Sequence, residues 1–198
     1  MKKLIQKYLT LLSLVMLMST AAFASDISLI TNTMHEKVNS IMVILKNDKL
    51  LECEKDTQIG KISEGLFDYS LMSRLSVGKK VWKSATPEQK KEFIEFFQIR
   101  MKKSYIDKTH LLSDEKVIVN DAVQVKANRI HLSVLIEGKD KDTDITYKYY
   151  RAKNKKWLIY DVDIAGISIL KTYRAQFAEV LDGGDIQKLI NQLKPTLS

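Results

Sequence analysis

Few residues in this 198-residue chain have the type and spacing that bond-making chemistry requires. Asp161 and Asp163 stand two apart in an apolar stretch. At the mouth of a cone-shaped sheet such a carboxylate serves as a general base, but a solvent-facing or loop-capping aspartate is the simpler reading. His35, His110 and His131 are scattered, and none has metal-ligand spacing to another histidine, a cysteine or a carboxylate. Each reads as a solvated side chain. Cys53 has no nearby histidine to activate it and reads as a packed or partly exposed thiol. A G-x-S-x-G turn and a phosphate-cradling glycine loop are both missing. These residues point to no enzyme, no metal and no cofactor. What the chain does carry is apolar surface, laid out in stripes.

The plainest of these stripes lies in KWLIYDVDIAGISILKTYRAQFAEVL, Lys156–Leu181. Leu158, Tyr160, Val162 and Ile164 alternate with polar residues and predict a strand with one buried face, with Trp157 and Ile159 on the opposite face. Gly166 is expected to end the strand and lead into a helix. That helix carries Ile169, Leu170, Tyr173, Phe177, Val180 and Leu181 on one stripe, and Gly183-Gly184 closes it.

The remaining elements follow from the same periodicities. Residues 1–24 read as a signal peptide: Lys2, Lys3 and Lys7, then the apolar run Leu9–Met18, then Ala22-Phe23-Ala24 as a cleavage site. The run is too short to span a bilayer, which takes about 20 residues. Residue 25 is Ser, not Cys, so a soluble exported protein is expected, periplasmic and not lipidated. Residues 25–198 then form a single domain. The formal charge is +8, with the three leader lysines among the cations. Bases and acids are mixed, without the one-signed block of a nucleic-acid footprint. One cysteine makes no internal disulfide, so packing alone must hold the fold.

Ile27, Ile30, Met34, Val38, Met42 and Leu45 predict a first helix, and Leu50-Leu51 a short second one. Ile62–Leu75 is apolar and aromatic. Thr86-Pro87-Glu88-Gln89 is a helix start, with Thr at N-cap, Pro at N1 and Gln three residues after the Thr. Phe93, Phe97, Met101 and Tyr105 then form a stripe, widened by Ile94 and Phe96. From Val117 the period becomes two: Val117/Val119, Val123/Val125, Ile130/Leu132/Val134/Ile136 and Ile145/Tyr147/Tyr149. Short polar connections at Gly138–Asp144 and Lys153–Lys156 imply antiparallel neighbours. Asp185 caps a last helix with Pro195 beyond it. The fold class is α+β: a curved antiparallel sheet of four to five strands, an N-terminal helical lobe and C-terminal helices over one face.

Two stretches carry a family resemblance. W-x-I-Y-D-V-x-I-x-G-I-S from Trp157, with the helix after it, resembles the signature of the MlaC-type periplasmic phospholipid carriers, the toluene-tolerance family. The likeness extends to FDYSLMSRLSVGKKVWKSATPEQKKEFIEFFQIRMKKSY, Phe67–Tyr105. The resemblance implies an NTF2-like cone and a monomer that shuttles phospholipid between outer and inner membranes, maintaining outer-membrane lipid asymmetry. The implied partners are an inner-membrane ABC transporter bearing a substrate-binding ring and an outer-membrane lipoprotein complex, with transient membrane-proximal contact and no nucleic acid. Asp68 matches a family position and is expected to cap a helix. Phospholipid would be cargo and not a cofactor.

Removing a two-chain lipid from a membrane exposes about 30 methylenes at ~0.8 kcal/mol each, roughly 24 kcal/mol. The chains must therefore be enclosed almost completely. The expected lining is Phe67, Met72 and Leu75; Phe93, Phe96, Phe97, Met101 and Tyr105 of the long helix; Val125, Leu132, Val134, Tyr147 and Tyr149 of the inward strand faces; and Ile164, Ile167, Leu170 and Tyr173. Ile167 is expected at the mouth. Two rivals fit the same elements: an NTF2-like enzyme with a hydrophobic substrate, and an envelope interaction module whose core is fully packed.

Overall fold

A computed structural model describes residues 25–110, 112, 115–139, 141–181 and 185–195. The leader assigned to residues 1–24 and the glycine pair at 183–184 lie outside the described residues. Four helices come first: residues 25–45 (α1), Glu52–Ser63 (α2), Tyr69–Ser84 (α3) and Pro87–His110 (α4). The sheet follows as β1 (Lys116–Val119), β2 (Val123–Lys126), β3 (Arg129–Glu137), β4 (Thr143–Arg151), β5 (Trp157–Ile164) and β6 (Ile167–Ser168). Helices α5 (Ile169–Val180) and α6 (Ile186–Leu193) come last. The class is α+β with an antiparallel sheet. It has six strands, because the edge at β3 is shared by β1 and β2 and because β5 folds back into the two-residue β6.

The helix ends form as their sequences dictate. Thr86 and Gln89 make a reciprocal capping box, each side chain accepting from the other's backbone N–H at 3.2 and 3.0 Å. Asp68 caps α3 by accepting from the Leu71 N–H at 2.8 Å, and its other oxygen accepts from the Tyr150 hydroxyl. Asp185 caps α6 through the Gln187 N–H. Segment 66–68 lies alongside β5, with two backbone hydrogen bonds to Ile159.

The sheet's register slips at two points, between Gln124 and Lys126 on the edge strand β2 and, with more consequence for the interior, between β4 and β5. Tyr149 stands opposite Ile159, but Lys148 stands opposite Asp161, so β5 carries a bulge at Tyr160. The bulge shifts the inward phase from odd to even residues. Ile159 is buried before it and Val162 after it, while Tyr160 turns outward to meet the Tyr150 ring and the Arg129 guanidinium. Leu158 and Tyr160 therefore do not share a face with Val162 and Ile164; Trp157 and Ile159 do. Nor does Gly166 lead straight into a helix. Ala165 and Gly166, both at positive φ (49° and 79°), make a tight hairpin from β5 to β6, and α5 starts only after Ser168.

The interior divides into three apolar clusters. Helices α3 to α6 enclose Met72, Phe93, Phe97, Leu170, Phe177, Leu189 and Ile190. The inner sheet face and the first half of α1 bury Ile30, Met34, Ile130, Leu132, Val134, Tyr149 and Ile159. Ile41, Leu45 and Ile59 form a third cluster with Tyr105 and Ile106 at the far end of α4.

Candidate functional site

Where these three clusters meet, they do not close on one another. An apolar cleft lies between the C-terminal half of α4 and the inner faces of β4 and β5. α4 contributes Met101, Ser104, Tyr105 and Lys108; the sheet contributes Ile145, Tyr147, Val162 and Ile164; Phe67, Tyr69 and Ile169 complete the wall. Its free volume is about 70 Å³, room for a few waters and far less than two acyl chains occupy. Phe67 joins the walls, its ring edge-on to Tyr105 and stacked on Tyr69 at centroid separations of 5.8 and 5.6 Å.

Three tyrosines supply most of the polarity in this wall. Burial pushes the Tyr105 hydroxyl up to about 12 and raises those of Tyr69 and Tyr147 as well. All three stay neutral hydrogen-bonding groups at any ordinary pH. Lys108 is the single charged residue in the wall.

Of the residues predicted from sequence, the structure brings five together in the cleft: Phe67, Met101, Tyr105, Tyr147 and Ile164. The others sit elsewhere, for physical reasons that can be named. Met72, Phe93, Phe97 and Leu170 are buried among the helices, with Phe96 and Tyr173 packed against them; the rings of Phe93, Phe97, Tyr173 and Phe177 satisfy one another edge to face. The aromatic stripe of α4 thus splits, and its first half is closed core. Leu132, Val134 and Tyr149 lie under α1 in the sheet cluster. Leu75, Val125 and Ile167 are exposed, because among the described residues nothing packs over the outer side of α3 or the edge strands β2 and β6. Sequence reasoning missed Tyr69, Ser104, Lys108, Ile145, Val162 and Ile169. The stripe spacing on α4 was the available signal for Ser104 and Lys108, three and seven residues after Met101, and the alternation that placed Ile164 inward was the signal for Val162.

The carboxylates considered for catalysis are held in structural roles. Asp161 is buried and accepts from the Ser168 hydroxyl at 2.8 Å, the Leu170 N–H at 3.2 Å, the Val162 N–H at 2.9 Å and Lys148 Nζ at 3.1 Å. It ties the bulge to the start of α5. Asp163 accepts from Lys148 at 2.6 Å. Burial works against the Lys148 ammonium, but its bonds to Asp163 and Asp161 prevail and its pKa is raised. His131, opposite Lys148 on the outer face, is lowered by burial and by that cation. His110 sits between two carboxylates of α2, Asp56 at 2.5 Å and Glu52 at 3.2 Å, and pins α4 to α2. Cys53 is exposed. Among the described residues no cluster of His, Cys, Asp and Glu has the makings of a metal site.

The MlaC protein family model matches residues 35–195, most of the chain. The chain belongs to the MlaC family. Its fold is similar to that of a phospholipid-binding protein from Ralstonia solanacearum whose structure holds a phospholipid. The TM-score is 0.68 at 19% identity, over 82% of this chain and 93% of that one. No curated protein sequence matches the chain. Among the described residues no helix is long and apolar enough to cross a membrane.

Proposed function

We propose that this MlaC-family chain binds a phospholipid, with the acyl chains inside the cleft between α4 and the sheet and the headgroup in water. The observation that carries this reading is a wall of aliphatic and aromatic side chains drawn from three separate clusters. Three clusters joined only through rim side chains such as Phe67 and Ile169 separate at their junction at less cost than one continuous core would, so the present narrow cleft is a closed form that hydrocarbon widens. The phospholipid held by the structurally similar Ralstonia protein supports the same reading. The cargo gains roughly 24 kcal/mol from enclosure of ~30 methylenes, most of it independent of headgroup.

Membership of the family supports the finer statement. After cleavage at residue 24, residues 25–198 act as one periplasmic domain, a monomer that shuttles phospholipid between the outer and inner membranes. It exchanges cargo with an outer-membrane lipoprotein complex and with the substrate-binding ring of an inner-membrane ABC transporter. The engagement of Asp161 and Asp163 by Lys148 and the start of α5 favours a carrier over an enzyme. The test is mass spectrometry of lipid extracted from the purified protein. About one phospholipid per chain is expected, with Ile145→Glu reducing it strongly while thermal unfolding stays cooperative. Protein that carries no phospholipid, or an Ile145→Glu variant that carries a full load, overturns the assignment.

A further inference from the structure

A second feature of the surface lies away from the cleft. Helix α3 is broken at Gly78 (φ 80°, ψ 166°), and the break opens a hollow of about 500 Å³ between α3 and α5. It is lined by Arg74, Leu75, Gly78, Lys79, Trp82, Lys83 and Arg174. All four cations of this wall are exposed, and none forms an ion pair among the described residues. The wall holds no carboxylate. Gly78 is needed for its φ, which side chains resist, and the Arg174 guanidinium lies at ordinary contact distance beside it. Between the cations sit an exposed leucine, Leu75, and a half-buried Trp82.

We propose that this face of α3 and α5 docks the protein on an anionic lipid bilayer. Four unneutralised cations on two packed helices give a fixed positive patch, and each Lys or Arg near an anionic membrane surface strengthens binding severalfold. An acidic protein would satisfy the charges but not the residues between them. Tryptophan is a side chain of the membrane–water interface, and the exposed leucine gains from contact with lipid. The long stems of Arg74, Lys79 and Lys83 allow their heads to reach phosphates while Leu75 and Trp82 sit lower. The two helices that carry the patch also start at the cleft, at Tyr69 and Ile169, so docking through their flanks brings a membrane to two of the elements that wall it. Cargo binding does not require the patch, and the two readings stand or fall separately.

The experiment is co-sedimentation of the purified protein with vesicles of phosphatidylcholine alone and with 30% phosphatidylglycerol added. Binding is expected only to the anionic vesicles, and raised salt should weaken it. Lys79→Glu/Lys83→Glu/Arg174→Glu should lower the partition coefficient about a hundredfold. Lys46→Glu/Lys49→Glu/Lys126→Glu, with the same change in net charge on other elements, should lower it severalfold at most. Co-purified phospholipid should be unchanged in both variants, which separates docking from cargo binding. Trp82→Ala should weaken binding at high salt as well as low. If wild-type protein ignores the anionic vesicles, if the two triple variants lose binding equally, or if the patch variant binds normally, the proposal is overturned. In the first case the patch faces an acidic protein instead.

Discussion

At the residue scale, Asp161 and Asp163 were the candidates for acid–base chemistry, and the structure shows why the burial of Asp161 serves another end. Its two oxygens collect three protein donors from the β5–α5 junction and one from Lys148 on β4. Asp161→Ala leaves two backbone N–H groups without this acceptor and Lys148 with Asp163 alone, a loss of about 1–3 kcal/mol. Asp161→Asn keeps an acceptor oxygen and is expected to cost less; urea titrations of both variants check the order. A pair of isoleucines separates wall from rim in the same way. Ile169 lines the cleft, whereas Ile167, two residues earlier, is 66% exposed on β6. A carboxylate against hydrocarbon costs several kcal/mol unless it becomes protonated or reaches water. Ile169→Glu should therefore cut co-purified lipid severalfold, and Ile167→Glu should leave both lipid load and melting temperature nearly unchanged. Equal lipid in the two variants would show that the cleft is not where the chains go.

At the element scale, α4 is one helix with two duties. Its first half, through Phe93 and Phe97, belongs to the closed helix cluster; its second half, through Met101 and Tyr105, forms a cleft wall. Phe97→Ala should cost about 3–5 kcal/mol of stability with cargo retained. Tyr105→Ala should cost less and shift the chain-length distribution of bound lipid; calorimetry and lipid mass spectra on the same samples separate the two effects. This division was not legible in the sequence, since Phe93, Phe97, Met101 and Tyr105 repeat at one spacing and a periodicity reports which face is buried, not what buries it. The long helices α1 and α4, the capping box at Thr86 and the spans of β3 to β5 could be read because they depend on local pattern, whereas α2 starts after the Leu50-Leu51 pair and α3, broken at Gly78, carries no clean period. The bulge at Tyr160 could not, because Leu158, Tyr160, Val162 and Ile164 continue the apolar alternation straight through it while the pairing with β4 slips. The exposure of Val125 likewise follows from β2 being an edge. Which apolar side chains pack on each other and which face a gap is a property of tertiary assembly, so the periodicities placed five of the cleft residues in the expected lining and left the other six unassigned.

At the scale of the whole molecule, the junction of three clusters concentrates tyrosine in the interior, and this makes stability depend on alkaline pH. Tyr69, Tyr147 and Tyr149 are raised, and Tyr105 reaches about 12, all chiefly by burial. Tyr150 is likewise raised to about 12, by burial and by its hydrogen bond to Asp68. The unfolded chain releases these protons near pH 10 while the folded chain keeps them. Stability is therefore fully present below about pH 10 and falls as pH rises toward the folded values. Lys148, also raised, acts in the same direction: its contribution is fully present below about pH 10.4 and is lost as pH rises through its higher folded value. Each fully buried tyrosine steepens the fall by up to about 1.4 kcal/mol per pH unit in that window, so several together should unfold the protein cooperatively. Ultraviolet absorbance of tyrosinate should accordingly rise in one step that coincides with loss of circular dichroism. Tyr105→Phe/Tyr147→Phe removes two of the titrating groups and should move that step to higher pH. Bound phospholipid should move it further, since cargo filling the cleft binds the folded state alone. A gradual tyrosinate titration centred near pH 10, with circular dichroism unchanged, would mean that these hydroxyls meet water freely and that the cleft is open rather than closed in the unloaded protein.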